Sequence, residues 1–162
     1  CFSKVLERLV ANRLNKFIDK HKILHESQYG FRADYSTNMA LIDLVDKITS
    51  SLDNKKHTVG IFLDLSKAFD TINHDILLNK MRKYGIRGNV LEWFRNYLSD
   101  RKQYVVWQNS VSSLQRISCG VPQGSVLGPI SFLIYINDII NIINHCSVRL
   151  FADDTYLFYG FN

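Results

Sequence analysis

The segment SVRLFADDTYLFYG, residues 147–160, decides how the rest of the chain is read. Val148, Leu150 and Phe151 precede an acidic step and Tyr156, Leu157, Phe158 and Tyr159 follow it, so two runs of strand-forming residues flank Asp153 and Asp154. Aspartate is a poor strand residue, and burying unpaired charge is costly. A hairpin built only to turn would carry Asn-Gly or Asp-Gly between its strands, and this one does not. Either the pair sits in an exposed turn, or a cation explains it.

The 162 residues suit one domain and suffice for a substantial core. A composition of 46% hydrophobic and 22% charged residues, with no low-complexity tract or repeat, is that of an ordinary globular protein. The net charge of +5 is compatible with a polyanionic partner without diagnosing one. Cys1, Cys119 and Cys146 form neither a disulfide framework nor a zinc pattern, which favours a reducing compartment. The longest apolar stretch, residues 130–143, is interrupted by Asn137 and Asp138 and is too short for a bilayer, so no membrane partner is expected. With no leader and no initial Met, the chain is expected to belong to a longer polypeptide.

Outward from the hairpin, residues 2–20 place Phe2, Val5, Leu6, Leu9, Val10, Leu14, Phe17 and Ile18 at helical spacing, with Lys4, Arg8, Arg13, Lys16 and Lys20 largely off that stripe. HESQYGFRADYST, residues 25–37, has turn chemistry and sets Arg32 among Tyr29, Phe31 and Tyr35. Ser36 or Thr37 can then cap a helix with Leu41, Leu44, Val45, Ile48 and Leu52 on one face. TVGIFLDL, residues 58–65, reads as a buried strand ending in Asp64, and a helix through Ile72, Ile76, Leu77, Met81 and Tyr84 follows. Residues 90–98 give a short helix whose Trp93 and Phe94 suit the core better than a base-stacking role. Residues 101–108 and 114–118 suggest a hairpin across NSVSS. In CGVPQGSVLGP, residues 119–129, Gly120, Gly124 and Gly128 surround Gln123 and permit backbone to approach a ligand closely, but the Gly-Lys-Ser/Thr ending of a P-loop is absent. A long helix over 131–143 leads back to the hairpin. Helices early and strands at 58–65, 104–118 and 147–159 imply an α+β domain with a small antiparallel sheet.

If the 58–65 strand lies beside the hairpin, Asp64, Asp153 and Asp154 converge. Clustered carboxylates repel unless a cation neutralises them, and hard oxygen donors suit Mg²⁺, with Mn²⁺ in its place. Two such ions about 3.5–4 Å apart form a clamp for attack of a hydroxyl on a phosphate, which fits nucleotidyl transfer.

FLDLSKAFD (62–70), GVPQGSVLGP (120–129) and FADD (151–154), in that order, resemble the core motifs of reverse transcriptases, and QYGFR with Ser36 and Thr37 resembles the family's fingers motif. The wording, including YLSDRKQYV and FLIYINDI, is most similar to reverse transcriptases of non-LTR, LINE-like retrotransposons and covers essentially the whole chain. The resemblance implies an RNA-directed DNA polymerase that adds dNTPs to a primer 3′-hydroxyl on an RNA template with two Mg²⁺ ions. Asp64, Asp153 and Asp154 would be the catalytic metal ligands, joined by the backbone carbonyl of Leu65. Phe69 would lie beneath the nucleotide sugar and exclude a 2′-hydroxyl. Gln123 and Gly124 would contact the incoming nucleotide and nearby template, and Arg32 would hold triphosphate or template phosphate. Asp70 and Lys67 would be structural.

The implied fold is a right-hand polymerase palm with helical fingers elements over residues 1–162. Thumb and endonuclease segments would lie elsewhere in the polyprotein, and the implied workplace is the cytoplasm and nucleus. Two other readings are a retrotransposon relic that only binds nucleic acid, and a related palm polymerase: an intron-encoded reverse transcriptase or an RNA-dependent RNA polymerase. Phe69 opposes ribonucleotide use.

Overall fold

Side-chain caps start two of the helices. In the computed structural model, which describes residues 2–161, the Ser36 hydroxyl accepts from Met39 N at 3.2 Å and opens α2, Thr37–Asp53. The Asn73 side chain accepts from Ile76 N at 3.1 Å and opens α3, His74–Lys83. Helix α1 spans Phe2–Lys20, α4 spans Asn89–Leu98 and α5 spans Gly128–Ile136. Cys1 lies outside the described residues; Cys119 and Cys146 are free thiols.

The core gathers between α1, α3, α4 and α5. Leu14 and Ile18 meet Leu77, Met81, Phe94, Leu98, Leu133 and Ile134, all nearly inaccessible to solvent. Phe94 is fully buried and Trp93 packs against the same cluster, so both serve the core as their spacing predicts. The apolar stripe of α1 is buried only at Ala11, Leu14 and Ile18; Phe2, Val5, Leu6 and Leu9 face solvent.

A second layer is a three-stranded antiparallel sheet in the order β1-β7-β6, formed by His57–Leu63, Asp154–Phe161 and Ser147–Phe151. Pairing runs from His57 opposite Phe161 to Leu63 opposite Thr155, and the hairpin closes where Phe151 faces Asp154. The expected pairing of the Asp64 segment with the hairpin is therefore present. Helix α2 is fastened to the sheet by an ion pair between Asp43 and Arg149 of β6.

Three features depart from the sequence reading. Strand β1 is not buried: as an edge strand against α2 alone it leaves Ile61 and Phe62 at 50% and 62% exposure, and it ends at Leu63, one residue before Asp64. The 101–118 region is two ladders, not one hairpin with a five-residue loop. Lys102–Gln103 (β2) pairs with Gln115–Arg116 (β5), and Val106–Trp107 (β3) with Ser110–Val111 (β4). Ser112 interrupts them, its N donating to Val105 O while its hydroxyl accepts from Val105 N. The helix expected to reach 143 stops at Ile136 and tightens into a 3₁₀ turn, Asn137–Ile142. There the Asn137 amide donates to Ile23 O and Tyr84 Oη and accepts from His25 N, while Asp138 pairs with Lys80. These side-chain bonds compete with helix continuation.

Candidate active site at the end of the sheet

The register of β1 on β7 brings the acids together. With Leu63 opposite Thr155, the chain leaves β1 at Asp64 close to Asp154, which strand alternation places on the face that carries Phe62 and Tyr156. On that face a groove of about 430 Å³ runs between the sheet and the first turns of α2, lined by Thr37, Leu41, Phe62, Phe151 and Asp154 among others. Burial pushes the Asp154 carboxyl above its ordinary range, and the charges of Asp153 and then Asp64 push it the same way. All three acids thus share one electrostatic neighbourhood. Among the described residues no group of three or more His, Cys, Asp or Glu side chains is gathered tightly enough to hold a metal ion as it stands. The donors nevertheless fit a divalent cation in kind: hard carboxylate oxygens whose mutual repulsion a cation relieves.

Asp153 sits in a two-residue turn between Phe151 and Asp154. Ala152, the other turn residue, has φ +56°, a left-handed conformation that costs a non-glycine residue energy and persists only where its surroundings enforce it. The enforcing group comes from residues 27–30, which dock along β6. Tyr29 N donates to Leu150 O and Leu150 N to Ser27 O, both at 2.8 Å. The buried Gln28 side-chain oxygen accepts from Ala152 N at 3.0 Å and from Gly30 N at 2.8 Å. Gly30 lies so close that a Cβ there would stand 2.1 Å from Ala152 N.

A second loop is tied to the same end of the molecule. Val121 N donates to Phe69 O at 2.9 Å and Gly120 N to Ile72 O at 2.7 Å. A Cβ on Gly120, which has φ +82°, would meet Asp70 O at 2.7 Å, so only glycine fits this approach. Gln123 Nε2 donates to both Asp70 carboxylate oxygens, at 3.0 and 3.2 Å, and His74 Nε2 lies 2.8 Å from Gly120 O. Gly124 has φ +72° and open space around it.

Phe69 is held edge-on to Phe31 at 6.0 Å and tilted against Phe132 at 4.9 Å, linking the 25–37 turn to α5. Arg32 donates through one terminal nitrogen to His25 O and Gln28 O, and its guanidinium lies 4.1 Å from the centre of the Tyr35 ring. Leu65 O accepts from Ala68 N at 3.2 Å and keeps a second lone pair.

The structure therefore gathers the three acids at one sheet end and ties Phe69 to the Gln123 loop, while Arg32 is occupied in shaping the turn before α2. In residues 25–37 the arginine among aromatics is the visible local pattern, and nothing local marks Gln28. Its partner lies 124 residues away, so no local pattern announces it. His74 was missed for the same reason, its partner lying 46 residues downstream.

A family model described as reverse transcriptase (RNA-dependent DNA polymerase) matches residues 1–160. The probable RNA-directed DNA polymerase from transposon BS of Drosophila melanogaster is 35% identical over 173 residues, covering 99% of this chain and 18% of that protein. Its counterpart from transposon X-element of the same species is 33% identical, covering 97% of this chain and 18% of its own length. The RNA-directed DNA polymerase from mobile element jockey, also of Drosophila melanogaster, is 35% identical over 83% of this chain and 15% of its length. The chain thus spans under a fifth of these relatives. Among solved structures, apo telomerase from Candida tropicalis superposes with TM-score 0.67 at 17% identity, covering 97% of this chain and 34% of that one. The fold is that of the polymerase palm with part of the fingers.

Proposed function

The chain belongs to the reverse transcriptase family, in its non-LTR retrotransposon branch, and from that premise we propose that it is the fingers-and-palm part of an RNA-directed DNA polymerase. The observation that supports the reading is the β1–β7 register, which ends with Leu63 opposite Thr155 and so brings Asp64 to the end of the hairpin that carries the neighbouring Asp153 and Asp154, although the two segments are distant in the chain. The reaction is extension of a DNA primer 3′-hydroxyl with dNTPs on an RNA template.

Asp64, Asp153 and Asp154, with the carbonyl of Leu65, would hold two Mg²⁺ ions, or Mn²⁺ in their place. Bound there, the ions would supply charge neutralisation for attack at phosphorus and for the departing pyrophosphate. The ring of Phe69, fixed between Phe31 and Phe132, leaves no room for a 2′-hydroxyl. Gln123 and Gly124 contact the incoming nucleotide: Gly124 leaves its backbone open to approach, and Asp70 orients the Gln123 amide by taking both bonds from its nitrogen. Arg32 spends one terminal nitrogen on backbone carbonyls, which leaves its other donors for phosphate.

No helix among the described residues is long and apolar enough to cross a membrane. We place the reaction in the cytoplasm and nucleus, where RNA template and chromosomal DNA are met, with thumb and endonuclease segments supplied by the same polypeptide. The test is primer extension by the full-length polypeptide on a primed RNA template with Mg²⁺. Extension with dNTPs and little with NTPs is expected. No extension, with a control polymerase active under the same conditions, overturns the reading.

A further inference from the structure

We propose that Gln28 is a positioning residue for the reaction, its side-chain amide fixing the Ala152 turn and so the direction in which Asp153 is presented. The inference rests on the polymerase reading above and adds a residue that none of the motif roles includes.

In a two-residue hairpin turn the inner amides ordinarily face water. Ala152 is only 5% exposed, so its peptide groups need protein partners. Gln28, itself 1% exposed, supplies them: its oxygen accepts from Ala152 N at 3.0 Å, and its nitrogen reaches Ala152 O at 3.5 Å. One amide plane therefore spans both peptide groups flanking Ala152, the second of which leads directly into Asp153. The same oxygen accepts from Gly30 N at 2.8 Å, and the Gln28 carbonyl accepts from Arg32 at 3.1 Å, so the amide's own position is determined by the turn that carries it. The backbone on either side is pinned to β6 through Ser27 and Tyr29. Gly30 allows this approach because no side chain intervenes.

Ala152 at φ +56° is the strained link of the turn, and without the amide its backbone is free to relax. Relaxation moves Asp153 while leaving the strands paired. The signature is therefore loss of turnover without loss of nucleotide binding, since displacement of a reacting group by about 1 Å can cost on the order of 100-fold in rate.

The experiment compares wild type with Gln28→Met, which fills the same space without the acceptor, and Gln28→Glu, which keeps an oxygen facing both amides. Ile134→Val, a core change remote from the turn, is the control for lost stability. Full-length polypeptides are assayed for primer extension, separating kcat from the dNTP KM, and for melting temperature. Gln28→Met is expected to lower kcat about 100-fold with KM within about threefold, Gln28→Glu to recover at least tenfold of that loss, and Ile134→Val to retain kcat. A folded Gln28→Met enzyme with wild-type kcat, or Gln28→Glu as impaired as Gln28→Met, overturns the proposal. Should Gln28→Met not fold, Gln28→Asn, whose amide is one methylene too short, is read in its place with the same outcomes. A wild-type protein that extends no primer defeats the polymerase reading itself, and the role of Gln28 falls with it. An active wild type with unimpaired variants defeats the Gln28 role alone.

Discussion

Asp153→Asn is expected to cut primer extension by about 1,000-fold or more, because it would remove one carboxylate from the proposed metal centre, whose charge neutralisation would be worth several kcal/mol in the transition state. Folding should survive. Asp153 lies in a turn, and its charge raises the proton affinity of Asp154, second only to burial as a cause. A carboxyl whose folded pKa lies above its unfolded value adds stability at low pH, and that contribution is lost as pH rises through the raised value. At neutral pH without metal, the wild-type site therefore carries a small penalty that Asp153→Asn partly relieves. Asp154 is half-buried and solvent screens part of the repulsion, so the gain in melting temperature is about a degree or two at most. Extension that persists in Asp153→Asn contradicts the assignment of this residue to the metal site, and unfolding would make its role structural.

Phe69→Ala is expected to raise ribonucleotide incorporation, relative to the matching deoxynucleotide, by about 100-fold, the scale on which pockets reject an added hydroxyl. The ring does not act alone: Phe31 and Phe132 hold it at 6.0 and 4.9 Å, so it presents a fixed surface. Truncation leaves a cavity between those neighbours and costs about 2 kcal/mol of stability, less than a fully buried phenylalanine because Phe69 is half-buried. Assays belong at a temperature where the variant remains folded. Selectivity measured as the ratio of kcat/KM for dNTP and NTP decides the matter, and an unchanged ratio would place the sugar gate elsewhere.

What the sequence disclosed followed the range of the interactions involved. The helix capped by Ser36 was legible because cap and helix are neighbours, and the next was legible from its apolar spacing, although its Asn73 cap was not read. The approach of the Asp64 segment to the Asp153–Asp154 hairpin was legible through the strand-forming runs beside the acids and through the motif order. Strand β1 misled because an apolar run signals burial only when something covers it, and α2 covers little of it. The 131–143 helix misled because Asn137 and Asp138 are drawn into bonds with His25, Ile23, Tyr84 and Lys80, partners that spacing does not reveal. Gln28 and His74 were illegible on the same ground. Each holds a loop from another segment, by hydrogen bonds to backbone atoms whose residue type leaves no trace.

The central claim is that Asp64 and Asp153, from separate segments, serve one divalent-cation centre. Mn²⁺ titration of the full-length protein, followed by electron paramagnetic resonance with Mg²⁺ as competitor, tests it without reference to turnover. Asp64→Asn and Asp153→Asn are each predicted to weaken the same Mn²⁺ binding by about tenfold or more. Binding that stays at wild-type strength in either variant would contradict the account.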